Sequence, residues 1–352
     1  MVSPVARAEA FCARFGLRLP VLLAPMSGVP SIPLASAVAA AGGMAGCGAL
    51  TFDSEAIADW MHRFRQAGGG RALLNLWVPD PAPARDAEAE ARMAALLAAE
   101  GAAPGSLSPG LQDFGAQCAA VVAARPDAVS SIMGLFEPSQ VTAFRAAGIA
   151  WFATVTTPAE ARAAVAAGAD AVIAQGAEAG GHRGAFDAAR AEAQMVGLMS
   201  LLPAVADAVE VPVIAAGGIA DGRGLAAALA LGASAVSVGT AFLRCEEAGI
   251  APVWAAALAE VAPEGTVPTR AFSGRLGRAV DNRWTRTVAA SGGALPYPLQ
   301  RAATAALRER AARDGDVELM QMWAGQSAAI GAAMPAAQRA SRLWQEAREL
   351  LA

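Results

Sequence analysis

The sequence predicts a (β/α)8 barrel carrying an added, mostly helical C-terminal part. Three observations lead there. Short apolar runs alternate with Ala-rich amphipathic segments up to about residue 245, and strict βα alternation calls for a parallel sheet. Eight such units in a stretch of that length match a closed eight-stranded barrel. The joints also repeat: AAGIAWF (146–152), AAGADAV (166–172) and ALGASAV (230–236) each pass from helix to strand through a glycine.

The elements follow in order. Val21–Met26 reads as the first strand, and Ile32–Gly43 as a helix closed by Gly42 and Gly43. Met44–Leu50 is the second strand, followed by a helix over Ser54–Gln66. Ala72–Val78 is the third, with a long Ala/Glu/Arg helix over Asp86–Glu100 and a Gly/Pro/Ser loop over Gly101–Gly110. Ala128–Gly134 is a strand, with a helix after Pro138. Ala150–Thr156 is a strand, and Pro158–Gly168 a helix with Pro at its start and Gly at its end. Asp170–Gly176 is the sixth strand, and Gln194–Val209 a helix interrupted at Pro203. Val211–Gly218, a helix over Gly222–Gly232 and Ala235–Thr240 complete the eight units. From Glu246 onward no further βα unit is legible. The expected division is a barrel over 1–245 and a helical second domain over 246–352. Within the latter, Ser273–Arg286 is rich in Arg (Arg275, Arg278, Arg283, Arg286), and Gly292–Pro298 is a Gly/Pro turn region.

Composition narrows the function. The chain has 352 residues, 55% hydrophobic and 16% charged, which suffices for a large core and excludes intrinsic disorder. The formal net charge is −4, and every cationic side chain is Arg. A mildly acidic chain without a basic cluster is a poor nucleic-acid binder. Without Lys there is no Schiff-base chemistry and no Walker P-loop. Cys12, Cys47, Cys118 and Cys245 form no CxxC pair and read as small buried apolar residues. The two histidines, His62 and His182, are too few for a His-rich metal site, and no metal is expected. Leu19–Phe52 is uncharged over 34 residues, but Pro20, Pro25, Pro30, Pro33 and five glycines break it into barrel elements. With no apolar signal segment at the N-terminus, the reading is a cytoplasmic protein that does not engage membrane.

Barrel enzymes build their sites from loops at the C-terminal strand ends. There the sequence offers Pro25-Met26-Ser27-Gly28, Asn75, Gln175, Glu178–Gly184, Gly217-Gly218 and Ser237-Val238-Gly239-Thr240. The last two groups fall on strands seven and eight, where barrels often hold a phosphate against a helix N-terminus. Tight turns that need Gly for geometry alone would give the same pattern. In Glu178-Ala179-Gly180-Gly181-His182-Arg183-Gly184 a histidine stands among glycines just past a strand end. It reads either as a general base or as a loop-fixing hydrogen-bond partner. His62, in the charged helix MHRFR, reads as solvated.

At these residues the chain resembles the FMN-dependent nitronate monooxygenases, formerly 2-nitropropane dioxygenases. The resemblance rests on APMSGVPSIPLASAVAAAGGMAGCGAL (24–50), TTPAEARAAVAAGADAVIAQGAEAGGHRGAF (156–186), PVIAAGGIADGRGLAAALALGASAVSVGTAFLRCEEA (212–248), TRAFSGRLGRAVDNRW (269–284) and WAGQS (323–327). It implies a TIM barrel with noncovalent FMN. Asn75 and Gln175 would hydrogen-bond the flavin ring, Gly180 and Gly181 would line its pocket, and Met26 would approach it. Gly217, Gly218, Ser237, Val238, Gly239 and Thr240 would hold the phosphate, and His182 matches the family's catalytic base. The implied reaction oxidises an alkyl nitronate, or a nitroalkane after proton removal, with O₂ to a carbonyl compound and nitrite. A homo-oligomer is compatible with this. Two departures stand out: Ser237-Val238 replaces the Gln-Met or Gln-Leu common in the family, and Ser130-Ser131-Ile132-Met133-Gly134 replaces SFHFG. Competing readings are an NAD(P)H-dependent FMN reductase of the quinone reductase or enoyl-ACP reductase type, a flavin-binding protein without turnover, and a colourless phosphate-binding isomerase barrel.

Overall fold

Helix α1 (Pro4–Phe15) precedes the first strand and is an element the sequence reading passes over. Ser3 caps it, its hydroxyl accepting from the Ala6 N–H, and Phe11 and Cys12 on its inner side are buried. The structure is a computed structural model that describes residues 2–29, 31–107 and 110–352. Pro30 in the first interstrand loop, and Ser108 and Pro109 of the Gly101–Gly110 loop, lie outside the described residues.

The wall of the barrel follows from the apolar runs. β1 (Val21–Leu23), β2 (Ala45–Gly48), β3 (Ala72–Trp77), β4 (Ala128–Ile132), β5 (Ala150–Val155) and β6 (Ala171–Gln175) come first. A two-residue strand, β7 (Gly181–His182), leaves the wall after β6, and β8 (Val213–Ala216) and β9 (Ala235–Val238) complete it. The eight wall strands pair in parallel, with β1 beside β9 through Leu22 and Ser237. Closure between β1 and β2 rests on a parallel bridge from Leu22 to Met44. The fold is therefore a (β/α)8 barrel. Several strands are shorter than their apolar runs. β1 stops before Pro25, which has no N–H for a ladder, and β4 stops before Met133, whose φ is +71°.

Around the wall stand α2 (Ile32–Ala41), α3 (Ser54–Gln66), α4 (Ala87–Ala99), α5 (Phe114–Ala124), α6 (Pro138–Ala146), α7 (Pro158–Ala166), α8 (Leu198–Ala206) and α9 (Gly222–Ala230). Local chemistry starts them: Ser31, Asp53, Asp113, Thr157 and Asp221 each accept a first-turn N–H, a contribution of about 1 kcal/mol each. The third unit differs from expectation. α5, not α4, packs on β3 and α3. Its AQCAAVVAA core carries no polar face to reveal it.

Beyond β9 come α10 (Thr240–Leu243), α11 (Pro252–Glu260), β10 (Thr266–Thr269), β11 (Gly277–Val280), α12 (Arg283–Ala290), α13 (Leu299–Ala303), α14 (Ala305–Asp314) and α15 (Ala336–Leu351). β10 and β11 pair antiparallel, and β7 joins the edge of β11. The sequence reading did not show this small sheet. α15 returns to the barrel and packs on α9 and α2, covering the flank where β9 meets β1. No helix among the described residues is long and apolar enough to cross a membrane.

Side chains alternate across each strand. Leu22, Leu73, Ala128, Phe152, Ile173, Ile214 and Ala235 fill the barrel interior, and α1 plugs its base with Phe11 and Cys12. The Phe15 ring meets Phe152 edge-on at 5.0 Å. Two residues further along the same strands stand Asn75, Ser130, Thr154, Gln175 and Ser237, all buried. Apolar filling thus gives way to a polar ring at the C-terminal mouth.

The base plug is energetically separable from the surface. Phe11→Ala should lower the unfolding free energy by about 3–5 kcal/mol in urea titrations. Arg14→Ala, which removes the exposed 3.4 Å contact to Asp170 and the guanidinium over the Phe15 ring at 5.1 Å, should change it by about 1 kcal/mol at most.

Candidate active site

The polar ring is internally bonded. Asn75 Nδ2 donates to Ser130 Oγ at 2.9 Å. Gln175 Nε2 donates to the His182 carbonyl at 2.8 Å, and Gln175 Oε1 accepts the Gly184 N–H at 2.7 Å. One amide therefore ties both ends of the turn that carries His182. Arg183, almost fully buried, adds donations to the carbonyls of Gln175 and, at 3.0 Å, Gln194. On the other side β7 is a strand, not a free loop: His182 lies opposite Gly277, and Gly181 opposite Arg278. The glycine-rich turn that carries His182 is thus clamped between the barrel mouth and the C-terminal part.

His182 Nε2 lies 2.7 Å from Ser273 Oγ, and Ser273 Oγ donates to the Arg275 carbonyl at 3.2 Å. A hydroxyl has one proton. With that proton on the Arg275 carbonyl, Nε2–H donates to Oγ, and Nδ1 is left with its lone pair. Trp77 meets the imidazole edge-on at 4.7 Å, Trp323 lies at 4.6 Å, and Tyr297 stands 5.8 Å from Trp77. Burial pushes the imidazole pKa down to about 3, and the positive charges of Arg275, Arg301 and Arg308 push the same way. His182 is accordingly neutral near pH 7, with a lone pair on the ring and a lowered affinity for a proton.

The strand-seven and strand-eight candidates come together. Gly218 has φ +70°, a backbone conformation that glycine adopts without penalty, and its carbonyl accepts from Ser327 Oγ at 2.6 Å. Among the described residues no acceptor is found for the Gly217 and Gly218 N–H groups. Thr240 Oγ1 accepts the Gly325 N–H at 3.0 Å. The 323–327 segment thus bridges both strand ends. It also passes Gly180 so closely that a Cβ there would sit 2.4 Å from the Gly325 nitrogen. Ser237 belongs to the polar ring, and Met26 lies beside Gly239. Val238 turns its side chain into the core outside the wall, so only its backbone is available to a ligand. This combination of free N–H groups, a glycine backbone and a polar ring fits a phosphate-bearing, hydrogen-bonding planar cofactor.

The remaining candidates lie elsewhere. His62 is exposed on α3. All four cysteines are buried, and burial raises the thiols of Cys12 and Cys118 to about 11 and about 12. No group of three or more metal-ligating side chains occurs among the described residues. A cavity of about 520 Å³ lies between α9 and α15, lined by Asp221, Arg342 and Glu346 and by none of the strand-end candidates. Sequence reasoning missed Trp77, Ser273, Tyr297, Arg301 and Arg308. Only the Arg-rich segment around 275 hinted that the C-terminal part reaches the site.

Known proteins resemble this chain along most of its length. The family model described as nitronate monooxygenase matches residues 10–346. A probable nitronate monooxygenase of Staphylococcus aureus (strain Newman) is 34% identical over 326 residues, covering 91% of this chain and 92% of that protein. Among solved structures, the nitroalkane oxidase of Streptomyces ansochromogenes superposes with a TM-score of 0.89 at 37% identity, covering 95% of this chain and 96% of the other. FabK from Thermotoga maritima superposes at 0.77 with 25% identity, covering 97% and 96%.

The depressed imidazole has a thermodynamic signature. Its folded pKa lies below the unfolded value of about 6.5, so the unfolded state binds the extra proton as pH falls. The part of stability linked to His182 is therefore complete above pH 6.5 and declines between about 6.5 and about 3. In urea titrations His182→Asn should reduce the acid slope across that window, by at most about 1.4 kcal/mol per pH unit. Identical slopes in the two proteins would contradict the depressed pKa.

Proposed function

Because the chain belongs to the nitronate monooxygenase family, we propose that this oxidoreductase binds FMN at the barrel mouth and oxidises alkyl nitronates with O₂ to a carbonyl compound and nitrite. The observation that carries the reading is the neutral His182, fixed by Gln175, Ser273 and β11 beside the polar strand ends. The division of labour follows the chain. The barrel over 1–245 supplies the cofactor groups, and the part over 246–352 supplies Ser273, Tyr297 and Trp323, which enclose the base.

FMN supplies the electron acceptor that a protein of this composition lacks. Gly217, Gly218, Gly239 and Thr240 would hold its phosphate through backbone N–H groups, with Ser237 and the Val238 backbone beside them. Asn75 and Gln175 would meet the ring edge, and Met26, Gly180 and Gly181 would line its face. A nitronate needs positioning only. A neutral nitroalkane must first lose a carbon-bound proton, which His182 Nδ1 is free to take. Trp77 and Trp323 pack against the imidazole, with Tyr297 beside Trp77, and limit the water that reaches it.

The cofactor is tested first. The purified protein should be yellow and release FMN on heat denaturation. Gly218→Asp should abolish uptake, because it sets a carboxylate against the phosphate. Gly218→Asn, of equal size, tolerant of positive φ and uncharged, should retain part of it. A colourless protein that fails to take up FMN would end the reading.

The reaction is tested anaerobically and with a variant. Propionate 3-nitronate should reduce the bound flavin, and NADPH should not; the reverse result would establish the NAD(P)H-dependent reductase instead. In His182→Asn, kcat/KM for neutral nitroethane should fall about 10²–10⁴-fold, while that for its nitronate falls much less and FMN stays bound. Equal losses on both substrates would reassign His182 to orienting the loop.

A further inference from the structure

Ser273 meets the imidazole with a hydroxyl whose bonding capacity is filled. Its proton goes to the Arg275 carbonyl at 3.2 Å, and it accepts the Arg275 N–H at 3.3 Å. One acceptor position is left, and His182 Nε2 lies 2.7 Å away. Nε2 therefore carries the ring proton, and Nδ1 has no hydrogen-bond partner among the described residues. The main chain of Arg275 thus orients the hydroxyl, and the hydroxyl sets the tautomer. The other tethers of this turn hold the residues on either side: the Gly274 N–H donates to the Arg270 carbonyl and the Arg183 N–H to the Leu276 carbonyl, both at 2.8 Å. Gly274 itself has φ +87°, a conformation that adds no stiffness. What fixes Arg275 is its own side chain, which is 1% exposed. One arm of the guanidinium donates to the Ala185 carbonyl, and the other is paired with Asp80. Asp80 stands in the loop between β3 and α4, 195 residues away in the chain. Arg275 is its one hydrogen-bond and ion-pair partner among the described residues, and Asp80 is the one acid paired with Arg275.

We propose that Asp80 is a positioning residue for His182: its ion pair with Arg275 holds the turn at 273–276, and through the Ser273 hydroxyl that turn keeps Nδ1 the unprotonated nitrogen. This rests on His182 being the base of the reaction given above. A buried guanidinium that loses its carboxylate is left with a carbonyl alone, a costly state that is relieved by moving the charge towards water. The Arg275 main chain moves with it, and the Ser273 O–H loses the carbonyl that held its proton. That proton is then free to turn towards Nε2, which makes Nε2 the acceptor and puts the ring proton on Nδ1. The cost falls on one step. When a neutral nitroalkane reacts, the carbon–hydrogen bond breaks and the proton passes to Nδ1. The electron pair moves into the carbon–nitrogen bond, and the negative charge settles on the nitro oxygens. An Nδ1 that already carries a proton cannot take part. A nitronate has no such proton to give, so its oxidation does not depend on the tautomer.

The chain has two histidines, so imidazole ¹H–¹⁵N spectra of the purified protein read the tautomer of His182, with His62 on α3 as the internal reference. In the wild type, His182 should show a protonated Nε2 and an unprotonated Nδ1. In Asp80→Asn the Nδ1–H form should rise to about two thirds of the population, and kcat/KM for neutral nitroethane should fall about threefold while that for its nitronate is unchanged. Asp80→Glu, which keeps the carboxylate, should restore the wild-type spectrum. Ser273→Ala should also mix the tautomers, and adding Asp80→Asn to it should change nothing further, because the pair acts through that hydroxyl. Asp80→Asn combined with Arg275→Met leaves no orphaned cation to oppose folding and should show the same mixing as Asp80→Asn alone. A wild type with the proton on Nδ1, a single Nε2–H tautomer in the Asp80 variants, or further mixing when Asp80→Asn is added to Ser273→Ala would overturn the proposal. The spectra need no turnover. A protein inert to nitro compounds would refute the proposed function, whereas an unmoved tautomer refutes the role of Asp80.

Discussion

The two backbone pairings between β7 and β11 are the constraint on which the site depends. They join a turn at the end of barrel strand six to a hairpin that lies about a hundred residues further along the chain. Without them, a glycine-rich turn would sample many conformations, because glycine restricts the backbone least. With them, the His182 carbonyl has Gln175, its ring has Ser273, and its backbone has a strand partner. Each bond contributes only about 1 kcal/mol. Their value lies in agreement, since all three fix one orientation of a single imidazole.

A second theme is the use of arginine as structural cement. Arg183, Arg275 and Arg278 are all buried, and most of their donors go to main-chain carbonyls. Five donors in a rigid fork let one guanidinium satisfy several carbonyls of irregular backbone, which a lysine ammonium does less well. A chain whose cations are all Arg is suited to holding non-repetitive segments over a barrel mouth. The same choice leaves positive charge close to the imidazole.

How far the amino-acid sequence discloses this molecule depends on the range of the interaction. The eight wall strands and their helix–glycine–strand joints are local patterns, and they are legible. The polar strand ends, from Asn75 to Thr240, follow from the same alternation. α5 escapes notice because both its faces are apolar and periodicity vanishes. β7, β10 and β11 escape because their segments, GH, TVPT and GRAV, are broken by Gly, Pro, Thr and Arg and form no apolar run. The aromatic and cationic surround of His182 is illegible for a different reason. Trp77, Ser273, Tyr297, Arg301, Arg308 and Trp323 come from distant segments, and only the tertiary fold makes them neighbours. Family resemblance pointed to His182; it did not point to the groups that surround it.

The position of α15 has a consequence for how the molecule is made. β9 ends at Val238, but the helix covering its seam with β1 begins at Ala336. Synthesis proceeds from the N-terminus, and segments fold as they emerge. All eight wall strands are therefore present on the ribosome well before the helix that shields the first and last of them. During that interval the apolar flank of α2 and α9 is bare, and it is a surface for chaperones or for another nascent chain. The order of the chain thus makes α15 a late cover: the seam stays open until Ala336–Leu351 has been made.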